Sequence, residues 1–228
     1  TIRSQAPKPG KGVKTAGRNT RRHFPFDGPP KKGKKAKSKL KESEKIEQYI
    51  ELLLSWNKTH NLISRTQTNN INEHVEDSLS VLEHVGSVLV DLGSGGGLPG
   101  IPIAIKAPKK QVILVESNSK KASFLLNTKN KLNLANVSVI HSRIEDISPA
   151  QLPEGYEIIA RAVGVVEHLI GLTKAHLDGP GTQLKLMKTE EQVEEEPLPQ
   201  NYAIKKINKL PSKEKDKGRI LVTIEKNG

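Results

Sequence analysis

The sequence predicts an α/β fold in which a mainly parallel β-sheet carries helices on both faces. From residue 88 onward, short apolar runs alternate with segments of helical periodicity, an order that is typical of parallel sheets. A glycine-rich turn directly follows the first apolar run. Two more apolar runs close the chain after the last helix, which predicts an antiparallel edge.

Two amphipathic helices are predicted before the first strand. Ordered structure is expected from Ser43, and the first helix covers residues 43–57. The second starts near residue 71 and carries His74 and Asp77. Both should cap the sheet, because apolar residues recur at helical spacing: Ile46, Tyr49, Ile50, Leu53 and Leu54 in the first, and Ile71, Val75, Leu79, Leu82 and Val85 in the second.

The rest of the chain alternates between strands and helices. The acidic stretch 190–196 is predicted to be a solvated loop or a short helix. Strands are predicted at 88–92, 112–116, 137–140, 156–160, 182–187, 202–207 and 219–224, with helices at 99–106, 122–132 and 165–177.

The turn from Asp91 to Pro102 is the stretch around which the domain is organised. Glycine allows positive φ and leaves no Cβ in the way of a ligand, and the following helix start offers unpaired N–H groups. The spacing Gly95-x-Gly97-x-x-Gly100 fits the dinucleotide fingerprint. The spacing Asp91-x-Gly93-x-Gly95-x-Gly97 fits S-adenosylmethionine (SAM) methyltransferases, where the glycines pass under the amino-acid end of the cofactor.

Glu116 ends the second apolar run, nineteen residues after Gly97. A carboxylate there can accept hydrogen bonds from both ribose hydroxyls, which either cofactor would present. A tight turn with an incidental acid would explain the same residues. Such a turn needs one or two glycines, however, and five lie between Gly93 and Gly100.

The net charge of +12 is concentrated at the amino terminus. Residues 1–41 contain fourteen Lys or Arg side chains against Asp27 alone, while the remainder is nearly neutral. We therefore divide the chain into a non-globular basic tail (1–42) and one Rossmann-like domain (43–228). There is no cysteine, which excludes thiolate catalysis and disulfides, and no apolar run could span a bilayer.

The tail is too poor in aliphatic residues to fold alone. It is either a solvated linker or targeting remnant, or an arm that binds RNA by neutralising phosphates. Phe24 and Phe26 could stack on a base or fill an apolar pocket. The basic residues proposed for RNA binding are Arg18, Arg21, Arg22, Lys31, Lys32, Lys34 and Lys35.

Several motifs at fixed spacing resemble one family. They are Trp56-Asn57-Lys58-Thr59-His60-Asn61-Leu62, His74-Val75-Glu76-Asp77-Ser78-Leu79, Asp91 through Pro102, Glu116-Ser117, Lys120-Lys121, Ser142-Arg143-x-Glu145, Arg161-Ala162 and Leu186-Met187-Lys188. From Ser43 to its end the chain resembles the RsmG (GidB) family of guanine 7-methyltransferases. These enzymes act on the 530 loop of small-subunit (16S) ribosomal RNA.

The resemblance implies SAM as cofactor and a set of site residues. Arg161, Arg143 and Lys188 would be catalytic and would converge above the methyl group, with Lys120 and Lys121 extending their RNA contact. SAM would contact Asp91, Gly93, Ser94, Gly95, Gly97, Leu98, Glu116, Ile144 and Glu145. The chain departs from the family at Ala160, Thr189 and the stretch Lys217–Ile220, which bear more on RNA contact than on the cofactor.

The implied chemistry agrees with the residues that the chain contains. Ring nitrogen 7 of guanine has an in-plane lone pair and no proton, so its methylation needs no general base. Catalysis then depends on placement and electrostatic control. His60, His74 and Asp77 could serve as acid–base groups, but we interpret them as residues that hold the helical cap on the sheet.

Three functions remain open from the sequence. The leading one is a SAM-dependent rRNA guanine methyltransferase. The second is an assembly factor or ribosomal protein derived from such an enzyme, and the third is a nucleotide-dependent oxidoreductase, which the Asp91 motif disfavours. Expected partners are small-subunit rRNA and ribosomal proteins, with no membrane, no metal and no homo-oligomer. The basic, acid-poor extension suggests a processed organellar protein, mitochondrial rather than chloroplast, with the bacterial cytoplasm as the alternative.

Overall fold

The computed structural model describes residues 41–161, 164–179, 181–211 and 218–227, and these residues form one seven-stranded sheet flanked by helices. The strands are β1 (Val88–Leu92), β2 (Gln111–Glu116), β3 (Val137–His141), β4 (Glu157–Arg161), β5 (Leu184–Thr189), β6 (Tyr202–Lys209) and β7 (Arg219–Lys226). Their order is β3-β2-β1-β4-β5-β7-β6. The first five are parallel, and β7 is antiparallel to both β5 and β6. The predicted sheet with an antiparallel edge is confirmed.

Seven α-helices surround this sheet in the described part of the chain. They are α1 (Glu42–His60), α2 (Arg65–Asn69), α3 (Ile71–Ser80), α4 (Gly100–Lys106), α5 (Ser119–Lys131), α6 (Val166–Leu177) and α7 (Glu190–Glu195). We refer to α1, α2 and α3 together as the cap. None of these helices is long and apolar enough to cross a membrane.

The strands separate two hydrophobic cores, because successive side chains of a strand point to opposite faces. On one face, Leu89, Leu114 and Ile159 pack with the cap, α4 and α5. On the other face, Val90 and Ile158 and their neighbours pack against α6 and the turns after β3. Because of this alternation, the side chain of each strand residue lies on one face of the sheet or on the other.

The element predictions hold, with differences at the ends. The second predicted helix ends at Ser80, and residues 82–84 continue as a separate 3₁₀ turn. The helix α2 was not predicted, because it is five residues long and none of them is buried. The acidic stretch forms the short helix α7. The strand limits differ from the predicted ones by one or two residues, because hydrogen-bond pairing with neighbouring strands, as between β6 and β7, decides where each strand stops.

Candidate active site

The glycine-rich turn after β1 folds against the carboxyl end of β2. Gly93, Gly95 and Gly97 have φ values of 66°, 54° and 90°, in the left-handed region where glycine is favoured. The N–H groups of Gly93 and Ser94 donate to the carbonyl of Val115 at 2.9 and 3.1 Å. These contacts fold the backbone sharply, and the glycines of the turn carry no Cβ that could hinder a ligand.

Asp91 lies beneath this turn. Its side chain is buried, and Oδ2 accepts the N–H of Gly100 at 3.0 Å. A Cβ at position 100 would approach the same oxygen to 2.6 Å, so only glycine permits the contact. Oδ1 is buried without a hydrogen-bond partner. The Asp91 carboxylate therefore fastens the turn to the start of α4.

The ionisation of Asp91 should make stability depend on pH. Burial raises the pKa of Asp91 to about 7 from its ordinary 3.8, although the N–H of Gly100 opposes the shift. The stabilisation from the bound proton is complete below about pH 4 and is lost as the pH rises through about 7. We therefore expect the free energy of unfolding of the wild-type chain to fall across this window relative to Asp91→Asn. Urea unfolding of both proteins measures the difference, and a difference that does not change with pH would contradict the raised pKa.

A cavity of about 390 Å³ opens between the turn and the cap. Its lining includes five residues predicted for the cofactor: Gly93, Ser94, Gly95, Leu98 and Glu116. Leu62, Ile63 and Gln67 contribute from the cap, and Gly96, Ser117, Lys121 and Arg161 complete the lining. The predicted cofactor residues Asp91, Gly97, Ile144 and Glu145 are not in this lining.

The Trp56-Asn57 motif builds the cap side of the cavity. The Asn57 amide donates to Thr68 Oγ1 at 3.1 Å, and its oxygen accepts the N–H of Ile63 at 2.9 Å. Trp56 packs edge-on against Phe124, with ring centroids 5.6 Å apart. These contacts hold the loop that carries Leu62 and Ile63, so the motif shapes the wall of the cavity.

Glu116 is buried at the end of β2 and is held by the backbone. Its Oε2 accepts the N–H of Gly95 and its Oε1 accepts the N–H of Asn118, each at 2.8 Å. An ionised carboxylate offers about four acceptor positions, so these bonds leave capacity for two more donors. The arrangement suits the two hydroxyls of a ribose.

Arg161 lies at the carboxyl end of β4 and is fixed by α3. Its guanidinium donates to the carbonyl of His74 at 2.9 Å, to Ser78 Oγ at 3.0 Å and to His74 Nδ1 at 2.7 Å. It also pairs with Asp77, with Nε and Oδ2 3.4 Å apart. Burial and the adjacent Arg161 lower the pKa of His74, which agrees with a neutral ring that accepts at Nδ1. His74 and Asp77 thus hold the cap on the sheet, as expected.

Arg219 of β7 completes this cluster from the other side. Its Nε donates to Asp77 Oδ1 at 3.0 Å, and a second guanidinium nitrogen pairs with Oδ2. Asp77 is therefore shared by two arginines. From the sequence, Arg219 was recognised only as part of a departure from the family, because its partner is 142 residues away. The available signal was the acidic residue Asp77 on a predicted amphipathic helix.

Lys188 does not join Arg161, contrary to the prediction that Arg143, Arg161 and Lys188 converge. Arg161 continues the row of Ile159 on the cap face, whereas Lys188 continues the row of Leu184 and Leu186 on the opposite face. The Lys188 ammonium is bound by both oxygens of Glu196, at 2.7 and 2.8 Å, and by the carbonyl of Gly164 at 3.1 Å. It lines a separate cavity of about 370 Å³.

The remaining predicted residues differ in exposure and in their relation to the cavity. Lys120, Arg143 and Glu145 are exposed, and Lys121 is half-buried at the cavity. Ile144 is 1% exposed in the core, and its carbonyl lies 3.2 Å from Nε2 of the buried His176. Ala162, Lys217 and the basic tail residues from Arg18 to Lys35 lie outside the described residues.

Comparisons with known proteins identify relatives of this chain. A family model described as rRNA small subunit methyltransferase G matches residues 42–222. Ribosomal RNA small subunit methyltransferase G of Hydrogenovibrio crunogenus is 39% identical over 186 residues, which are 80% of this chain and 84% of that protein. The protein of the same name from Pseudomonas putida is 43% identical over 149 residues, or 64% and 68% of the two chains.

The fold is also similar to that of a solved structure, a mutant of MtNAS in complex with S-adenosylmethionine. The TM-score is 0.52 at 14% identity, and the match covers 82% of this chain and 76% of that chain. At that identity the likeness concerns the fold alone. The two relatives named above come from bacteria, so they give no support to an organellar location.

Proposed function

Because the chain belongs to the rRNA small subunit methyltransferase G family, we propose that it transfers the methyl group of SAM to ring nitrogen 7 of a guanine in small-subunit ribosomal RNA. The observation that supports this most is the single cavity that the glycine turn, Glu116 and Arg161 line together. The family match includes every one of these residues.

The residues of the cavity fit the proposed cofactor. The uncovered backbone from Gly93 to Gly96 would lie under its amino-acid end, and Glu116 has acceptor capacity for the ribose hydroxyls. When bound, SAM supplies an electrophilic methyl group on a sulfonium sulfur. The chain's task is to hold this group and the guanine in line.

The ionisable residues of the cavity agree with a reaction that needs no general base. Among the described lining residues these are Glu116, Lys121 and Arg161. Glu116 is occupied by two backbone N–H groups, and the other two are cationic. We assign Arg161 as a fixed positive charge beside the reacting atoms, and Lys120, Lys121 and Arg143 as contacts to RNA phosphates.

The proposed reaction is tested directly by incubating the full chain with unmethylated small ribosomal subunits and methyl-labelled SAM. We expect the label in 7-methylguanosine of the small-subunit rRNA, identified by mass spectrometry of nucleosides after digestion. Label in another nucleoside would contradict the assigned atom. SAM binding without any transfer would favour a role as an assembly factor.

We also propose a cellular location and binding partners for the chain. We place the chain in the bacterial cytoplasm, since the relatives are bacterial, and in transient contact with the small subunit and its proteins as a monomer. The basic tail would supply salt-dependent affinity for rRNA that the nearly neutral domain lacks.

Deletion of residues 1–41 should therefore weaken rRNA binding by about tenfold or more at physiological salt. It should also flatten the slope of log affinity against log salt, because fewer counterions are released. Filter binding over a range of salt concentrations measures both effects, and calorimetry should find SAM affinity unchanged. An unaltered slope would identify the tail as a linker or targeting remnant.

A further inference from the structure

The hydroxyl of Tyr49 connects the cap to the glycine turn. Tyr49 lies in the middle of α1, is 0% exposed, and donates its hydroxyl to the carbonyl of Gly96 at 2.7 Å. Burial raises the pKa of this phenol far above its usual range, so it remains a donor at any working pH. The cap therefore fixes one peptide group of the turn directly.

The cap also packs against the same glycine with no spare room. A Cβ at position 96 would lie 2.8 Å from Cγ2 of Ile63 and 3.1 Å from Cδ1 of Leu53. Position 96, unlike its neighbours Gly95 and Gly97, does not have positive φ. Glycine is needed there because of the approach of the cap, since the backbone conformation itself would tolerate another residue.

Gly96 differs from its neighbours in its hydrogen bonds as well. The N–H groups of Gly93 and Ser94 donate to Val115, that of Gly95 to Glu116, and that of Gly97 to the carbonyl of Ser94 at 2.6 Å. Within the described structure, the Gly96 N–H has no partner in the protein, and Gly96 lines the cavity. Tyr49 thus holds a residue of this turn whose donor is left for a ligand.

We propose that Tyr49 is a positioning residue for the cofactor, which orients Gly96 so that its N–H binds the amino-acid carboxylate of SAM. The inference rests on the proposed function, because it assumes that SAM occupies this cavity. It makes the cap part of the cofactor site through a buried side chain whose hydroxyl donates to the turn. An anion is the expected partner of a backbone N–H held in this way.

The test replaces Tyr49 with phenylalanine in the full chain, which removes one oxygen atom. By calorimetry, SAM should bind about fivefold to tenfold more weakly than to the wild type, as expected for one hydrogen bond. Methylthioadenosine lacks the amino-acid end, so its affinity should not change. The catalytic constant at saturating SAM and the affinity for rRNA should also stay at wild-type values.

Two control variants separate positioning from general stability. Tyr202→Phe makes the same chemical change at the start of β6, far along the sheet, and should bind both ligands normally. Val75→Ala leaves a cavity in the buried core of the cap. It should lower the melting temperature while the ratio of SAM to methylthioadenosine affinity stays as in the wild type.

A second substitution, Gly96→Ala, keeps the proposal testable if Tyr49→Phe does not fold. Gly96→Ala forces the turn away from Ile63 and should also weaken SAM more than methylthioadenosine. Equal weakening of both ligands by Tyr49→Phe would overturn the positioning role and leave a structural one. A wild-type chain that binds methylthioadenosine but not SAM would overturn the inference, and one that binds neither would overturn the proposed function as well.

Discussion

Replacing Asp77 with alanine is expected to lower the free energy of unfolding by about 3–5 kcal/mol, the usual cost of removing one partner from a buried ion pair. The Asp77 carboxylate is shared by Arg161 and Arg219, whose side chains are 6% and 25% exposed. Without it, two guanidinium groups face each other, and Arg161 stays buried without its ion-pair partner. Urea unfolding followed by circular dichroism measures the loss.

The matched control is Asp178→Ala. Asp178 also pairs with two cations, Lys174 and Lys226, but its partners are 65% and 42% exposed. Exposed pairs of this kind contribute little to stability, so this variant should unfold close to the wild type. A loss in Asp77→Ala as small as that in Asp178→Ala would mean that the two arginines find other partners when Asp77 is removed.

Asp77→Ala should also disturb function. Arg161 lines the cavity from a position that Asp77, His74 and Ser78 determine, so its release should lower methyl transfer more than SAM affinity. The carboxamide variant Asp77→Asn keeps one acceptor oxygen for the guanidinium groups and should retain more activity than Asp77→Ala. Comparing the two variants at a temperature where both are folded separates this effect from stability.

Replacing Glu116 with alanine should weaken SAM binding by about 100-fold or more, because the two hydrogen bonds proposed to this charged group contribute about 1.5–3 kcal/mol each. The change removes the acceptor proposed for the ribose hydroxyls and also releases the N–H groups of Gly95 and Asn118. The turn therefore loses part of its support, and some loss of stability should accompany the loss of affinity. Calorimetric titration with SAM gives the dissociation constant.

Two further variants test whether the missing acceptor causes the loss of SAM affinity. Glu116→Gln keeps one side-chain oxygen as acceptor and should lose less affinity than alanine does. Glu154→Ala removes an exposed acid after the last 3₁₀ turn before β4 and should bind SAM normally. Wild-type affinity in Glu116→Ala would remove Glu116 from the cofactor site and leave it only a role in folding the turn.

Local features of this site were predictable because their causes are local. The glycine turn depends on positive φ at three positions within five residues, and the strand before it and the helix after it are marked by their own apolar periodicity. Glu116 was predictable in the same way, since it ends a buried strand next to that turn in the sheet. The limits of β5 and β6 were harder to predict, because strand ends depend on pairing between distant segments.

Periodicity, glycine spacing and short motifs in the sequence were enough to predict the α/β class, the antiparallel edge, the family and the cofactor turn. Which charges act together depends instead on tertiary packing. Arg161 and Lys188 were predicted as one group, but the strand pleat and the register of β4 with β5 send them to opposite faces. Asp77 meets Arg219, and Tyr49 meets Gly96, across 142 and 47 residues. Such contacts depend on how whole elements pack, and no local pattern in the chain records them.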